Sequence, residues 1–458
     1  MKNHKIKNLV AAAAIIPAFV YAQEVEAPQE AQEAPAVEES QSATENVATE
    51  LNTLAKKRVK VSDLVSKSMK DWEKEAGITI GSVNSKGAIY LEGTAKVSVN
   101  AGRAEFVQAR SAAFEQAYLD ALTKYVMDKS GATGFALAST YFNDASSDRT
   151  EPNLSLEDAA QRIARKTEML EEAKLDAALR EAGVAVAEIE NKTIVEKRQI
   201  FLERVFSEAV DKAIDSSSGV AVVKTFEGND EKGAYAVGVI LRGGTDTEVI
   251  ADSLRSKKRP MIKRPDMADS VANLLPPREE ILQEFGVRII FDENGVPALL
   301  SFGQYGNDYT GEDEEVEDDM ERLAMEQARG QANDLLTMFI NSKINIVNRR
   351  EKGSSRERNL EFDANGVPTE NSIKKFISKV TKSANITGSD TMIGRSTVYE
   401  DVIEHKTGHR IAICVRMWSF NQFDAMKQIK DTPKKPEPPK KPVKPAQPAV
   451  KPSKTYDF

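Results

Sequence analysis

The chain has 458 residues, 29% of them charged, with a formal net charge of −8 and one cysteine. Its length and apolar content suffice for two domains with real cores. The acidic balance argues against general nucleic-acid binding, which needs a basic footprint, and one cysteine rules out an intramolecular disulfide.

Residues 1–22 set Lys2, Lys5 and Lys7 ahead of an apolar run from Leu9 to Tyr21, closing on Val20-Tyr21-Ala22. The run is too short for a stable bilayer anchor and carries small residues where a signal peptidase reads, so it predicts a cleaved export signal. Loss of the three leader lysines takes the net charge to −11. No second stretch of eighteen apolar residues follows, so no transmembrane segment is expected after cleavage. Residues 23–58, rich in Glu, Ala, Gln and Pro, predict a disordered acidic linker, with a fraying helix from Glu45 to Leu64.

The first folded unit is expected over residues 59–244. It starts with a strand from Gly87 and a helix from Arg103 to Asp128 with small alanine faces. A loop follows from Gly131 to Asn153. Ser155 is placed to cap a long helix from Leu156 to Ala182, which Gly183 ends. A short strand from Val184 to Glu190, a helix from Val195 to Ile214 and a hairpin turning at Asn229–Gly233 complete the unit. Residues 245–278 contain RSKKRPMIKRPD and LLPPREE and read as a basic linker.

The second unit is expected over 279–431. Asn294-Gly295 between apolar runs marks a hairpin. The acidic stretch GEDEEVEDDMER opens a helix reaching Ile344, since carboxylates suit a helix N-terminus. A helix from Thr369 to Ser383 precedes strands at Thr391–Glu404 and His409–Phe420. Gln-Ala-Arg starts a small-residue helix in each half, at Gln108 and Gln327, and AYAVGVILR resembles RIAICVRMW. This echo predicts a duplicated unit with a helical insertion in the first copy. Residues 432–458 alternate Lys with Pro and predict an extended, cationic, disordered tail.

No motif yields a catalytic, cofactor-binding or metal residue. FDENGVP from Phe291 and FDANGVP from Phe362 lack the ligand array of a calcium loop and read as Asx-Gly turns. His405 and His409 bracket Lys-Thr-Gly and are expected in a solvated turn, two imidazoles being too few for structural zinc. The carboxylates of 312–319 read as a solvated helix start. Ser66 and Ser68 lie near lysines, as many surface serines do. Cys414, within an apolar run and far from the leader, is expected as a buried small hydrophobe. Trp72 and Trp418, the only tryptophans, are expected in a core or interface.

One resemblance rests on Gly93 and Ala95 in a strand, then Ala109, Arg110, Ala113 and Ala117 along a helix, then a hairpin. This pattern resembles a bacterial envelope domain found in small outer-membrane lipoproteins and at the N-terminus of flagellar assembly protein T. The second half keeps Ala328, Arg329 and Ala332 without a clear Gly-x-Ala strand, and the chain lacks the lipidation cysteine. The resemblance implies a non-catalytic module and brings no catalytic residues.

The sequence therefore predicts an α+β protein of two related units of antiparallel strands packed on helices, with a helical insertion in the first and disordered arms. The expected function is non-enzymatic structural or adaptor work in the bacterial cell envelope. Its expected partner is an envelope protein or cell-wall polymer, with the Lys/Pro tail as one contact. The expected location is periplasmic or secreted, with outer-membrane association as one destination. The alternatives are a carboxylate-based envelope or carbohydrate hydrolase and a small-ligand module with its pocket between the units.

Overall fold

A computed structural model describes residues 60–142, 154–307, 309, 311–351, 360–387 and 394–431. The expected signal peptide, acidic linker and Lys/Pro tail lie outside the described residues. The fold is α+β, with two antiparallel sheets.

Helix α1 (Val61–Ala76) precedes strand β1 (Ala88–Lys96). Helix α2 (Phe106–Tyr141) follows and is one continuous element through Gly131, where the sequence predicts a loop; residues 143–153 of that expected loop lie outside the described residues. Gly131 and Gly134 do not end the helix because a neighbour sits against each. A Cβ at Gly131 would lie 2.2 Å from the Leu154 carbonyl oxygen, and one at Gly134 would meet the Phe206 ring at 2.8 Å. Close packing outweighs the entropy that glycine costs a helix.

The long helix expected from Leu156 is two helices, α3 (Leu156–Glu168) and α4 (Glu172–Glu181), broken at Met169–Glu171. Ser155 caps α3 as expected, accepting from the Asp158 N–H at 3.0 Å. The strand expected at Val184–Glu190 contains a short helix, α5 (Val186–Ile189). Four residues bounded by turns carry no period that separates the two states. Helix α6 (Ile194–Ser216) starts with a capping box between Thr193 and Glu196. Strands β2 (Ala221–Asn229) and β3 (Tyr235–Gly244) form the hairpin.

The expected linker opens with a helix, α7 (Thr245–Ser256), which buries Ile250, Ala251 and Leu254. A short helix α8 (Val271–Leu274) follows. Strands β4 (Gly286–Phe291) and β5 (Pro297–Asn307), helices α9 (Glu314–Glu351) and α10 (Glu370–Thr387), strands β6 (Arg395–Glu404) and β7 (Arg410–Ser419) and helix α11 (Phe420–Asp431) complete the order. Helix α11 has no counterpart in the sequence reading.

The first sheet runs β1-β3-β2 and the second β4-β5-β7-β6. Omitting β4, the second repeats the first. A constant offset of 175 residues carries β2, β3 and α7 onto β6, β7 and α11: Thr225 maps to Glu400, Val239 to Cys414 and Thr245 to Phe420. A register shift between Val222 and Lys224 recurs between Thr397 and Tyr399 at the same offset. The helices agree as well. A Cβ at Gly93 would lie 2.0 Å from the Ala117 carbonyl oxygen, and one at Gly303 would lie 2.1 Å from that of Ala328.

Gly303 is thus the strand glycine that the sequence reading misses in the second half. The Gln-Ala-Arg echo aligns the helices wrongly: Ala328 stands where Ala117 does, two helical turns beyond Ala109. The bare glycine lets the helix backbone approach the sheet, and the small residues are selected by that approach.

Both central strands are buried on both faces, which explains their continuous apolar runs. Helix α1 covers one face of the first sheet, with Val65 and Met69 against Gly238, and α2 covers the other. One face of the second sheet holds α9. Its opposite face, including Leu300, Phe302, Ile411, Ile413 and Val415, joins the first repeat in one continuous core. The two repeats therefore share a hydrophobic interior, and the described residues form one compact unit.

Candidate functional site

A cluster of buried polar side chains lies where the repeats meet. Arg110 projects from the first third of α2 and is fully buried. Its Nε donates to Glu227 Oε1 of β2 at 2.6 Å, and its Nη1 donates to Gln304 Oε1 of β5 at 2.8 Å. Its Nη2 donates to the Leu282 carbonyl. The Phe285 ring packs against the guanidinium, 4.5 Å from Cζ to the ring centroid, and stacks on Phe114 at 4.8 Å. Gln304 Nε2 donates to the carbonyls of Leu282 and Glu284 at 3.0 and 2.7 Å. One arginine thus joins α2, β2, β5 and the segment leading into β4.

Glu227 Oε2 accepts from the Tyr235 hydroxyl at 2.5 Å and faces His405 Nε2 at 3.6 Å. Burial alone would raise the Glu227 pKa. The charge of Arg110, the nearby His405 imidazole and the hydrogen bond from Tyr235 outweigh it and hold the carboxyl at about 2. Burial, then the Glu227 charge, push the Tyr235 phenol well above its ordinary value. Burial pulls the His405 imidazole down, and Glu227 only partly opposes this.

His405 sits in the β6–β7 turn as predicted, but the turn is not solvated at that residue, which is 7% exposed. The repeat explains its place. His405 maps onto Asp230, whose carboxylate accepts from the N–H groups of Lys232 and Ala234. His405 Nδ1 takes over this acceptor role toward the Thr407 N–H at 3.3 Å and also meets the Thr407 hydroxyl at 2.7 Å. His409 Nε2 donates to the Arg103 carbonyl at 2.8 Å, and Phe106 lies beneath both imidazoles. Asp292 and Asp363 make the same Asx turns with Val296 and Val367, the geometry expected of their motifs.

A cleft of about 230 Å³ opens beside this cluster, lined by Glu227, Arg278, Leu282, Gln283, His405 and Lys406. A second hollow of about 460 Å³ lies between α3, α6 and the Asp363–Val367 turn. The chemistry available at the first is limited. His405 has one nitrogen engaged by the Thr407 N–H and the other directed at Glu227, so neither is a free base. Glu227, held ionised, has no proton to give.

The other residues singled out by sequence are dispersed. Ser68 is exposed and bonds back to the Leu64 carbonyl. Of the acidic run, Asp313 accepts from the N–H groups at the start of α9, Asp319 pairs with Arg322, and Glu317 pairs with Arg410. Cys414 is buried as expected, and burial, then Glu400, push its thiol up to about 12. Among the described residues, no group of three or more His, Cys, Asp or Glu side chains is arranged to hold a metal ion. None of the described helices is long and apolar enough to cross a membrane. Trp418 is 3% exposed within a core cluster, and Trp72 packs edge-on to Phe226.

A family model for a domain of unknown function, DUF6844, matches residues 160–256, ending where α7 ends. No curated protein matches the chain. Its fold is similar to the crystal structure of hypothetical protein FTT1539c from Francisella tularensis, with 18% identity and a TM-score of 0.50. That similarity covers 79% of this chain and 92% of that one.

Proposed function

We propose that this protein is an exported, non-catalytic docking protein of the bacterial cell envelope, acting through contacts made by its folded body and supplemented by its Lys/Pro arm. The observation that carries this reading is how the Arg110 cluster uses its polar groups. The arginine, the carboxylate, the phenol and both nitrogens of His405 are engaged by one another or by the backbone. Such a network specifies how two repeats join. The leader composition supports export, and the small-residue helix against a strand glycine supports the envelope-module resemblance.

The hydrolase alternative needs a carboxylic acid and a carboxylate across a cleft. Against it, Glu227 is paired with Arg110, and Asp313, Glu317 and Asp319 of the acidic run serve the start of α9 or ion pairs. Of the two hollows between the units, the cleft beside Arg110, about 230 Å³, is smaller than ordinary ligand sites, roughly 300 Å³ or more, and only the hollow of about 460 Å³ between α3, α6 and the Asp363–Val367 turn has a size that suits the ligand alternative.

The test is crosslinking in intact cells, with and without residues 432–458, followed by identification of what co-purifies. A discrete envelope partner supports the proposal. No partner with either form, together with hydrolysis of an envelope polysaccharide by the purified protein, overturns it.

A further inference from the structure

The repeat shows a surface that is covered in the first copy and open in the second. In the first, the segment before β4 lies on α2 and β2. Phe285 stacks on Phe114, Arg110 donates to Leu282, and Thr225 donates to the Gln283 carbonyl. The receiving residues Arg110, Phe114, Val222 and Thr225 are all at most 4% exposed. Their counterparts are Glu321 and Met325 on α9 and Thr397 and Glu400 on β6, and none of these is buried. Met325 and Val402 form an apolar strip there beside the small Ala324–Ala328–Cys414 core. Glu317 and Glu321 flank it, sharing Arg410, and Glu400 pairs with Arg329 at 2.6 Å.

Two facts choose the occupant. A second copy of this chain has no bare sheet face left to stack here, because α1 covers the first sheet and the first repeat covers the second. The chain itself supplies a segment of the right length and charge. In the first repeat the covering residues Ile281–Phe285 come 25 to 29 residues after Ser256, the end of α7. In the second, Tyr456-Asp457-Phe458 come 25 to 27 residues after Asp431, the end of α11. Both stretches are Lys- and Pro-containing. Residues 432–458 have seven lysines against Glu437 and Asp457, opposite in sign to the acidic start of α9.

We propose that the C-terminal segment of this chain docks in cis on the open α9–β6 face of the second repeat, with Tyr456 and Phe458 over Met325 and Val402 and the nearby lysines toward Glu317 and Glu321. Aromatic contact with a methionine and charge complementarity set the register. This assignment stands independently of the envelope reading.

The test replaces Phe458 in the full-length protein with a photo-crosslinking phenylalanine analogue and maps the adducts by mass spectrometry. Intramolecular adducts on Glu321–Met325 and Thr397–Val402 are expected. Glu substitutions at Lys451 and Lys454, outside the described residues, are expected to cut their yield about fivefold, the loss typical of one good interface contact. Adducts scattered over the body, adducts only between chains, or a yield unchanged by those substitutions would overturn the proposal.

Discussion

Replacing Glu227 by Gln removes the counter-charge of Arg110 while keeping the shape of the side chain. Arg110 is fully buried and the Glu227 side chain is 3% exposed, so solvent does little to screen the loss. Breaking a buried pair from one side costs about 3–5 kcal/mol, because a charge is stranded in the interior. The depressed carboxyl gives a second, independent figure. A fall from the ordinary 4.5 to about 2 corresponds to a contribution on the order of 3 kcal/mol. Its sign is fixed: the folded state binds the proton more weakly than the unfolded, so the contribution is complete above pH 4.5 and disappears as pH falls toward 2. Guanidinium unfolding followed by circular dichroism, at pH 7 and at steps down to pH 3, should show Glu227→Gln losing about 3–5 kcal/mol at pH 7 and converging on the parent in acid. The double replacement Arg110→Met with Glu227→Leu should recover only part of the loss, since no charge is stranded but Gln304 Oε1 and the Tyr235 hydroxyl lose their partners. A single-variant cost under about 1 kcal/mol, or no convergence at low pH, would refute the reasoning.

Three further outcomes follow from the structure. Gly93→Val and Gly303→Val should each destabilise by at least 1–3 kcal/mol, visible as a lowered Tm, because the new side chain meets helix backbone and forces sheet and helix apart. The lowered His405 pKa means that neutral His405 supports stability above pH 6.5 and loses that support as pH falls below it; His405→Asn, imitating the Asp230 turn, should flatten stability between pH 7 and 5 in a Tm series. Ser155→Ala should cost about 1 kcal/mol through the lost α3 cap, measured by chemical denaturation.

Much of the fold is written in local signals. Ser155, the Asx-Gly turns and the runs AYAVGVILR and RIAICVRMW each act within a few residues, so they are legible without tertiary context. The errors occur where distant contacts decide. Gly131 and Gly134 suggest a helix end, yet Leu154 and Phe206 fill the space that their missing side chains leave. The repeat is visible in outline but misaligned, because Gln-Ala-Arg recurs by composition while the true correspondence follows from Gly93 and Gly303 against their helices. The central cluster is least legible. Arg110, a lone charge between Phe106 and Phe114 on the buried face of α2, is the one available hint, and nothing local marks Glu227, Tyr235 or Gln304 as its partners, 117 to 194 residues away for Glu227 and Gln304.

The central claim is that two repeats have fused into one body knotted at Arg110, and the two tryptophans test it directly. Trp72 reports on the first repeat from α1, and Trp418 reports on the second from β7. Unfolding of the Trp72→Phe and Trp418→Phe variants, each followed by its remaining tryptophan, should give one transition with a common slope, offset only by the stability change that circular dichroism records for each variant. Two separated transitions, one repeat melting while the other stays folded, would contradict the account.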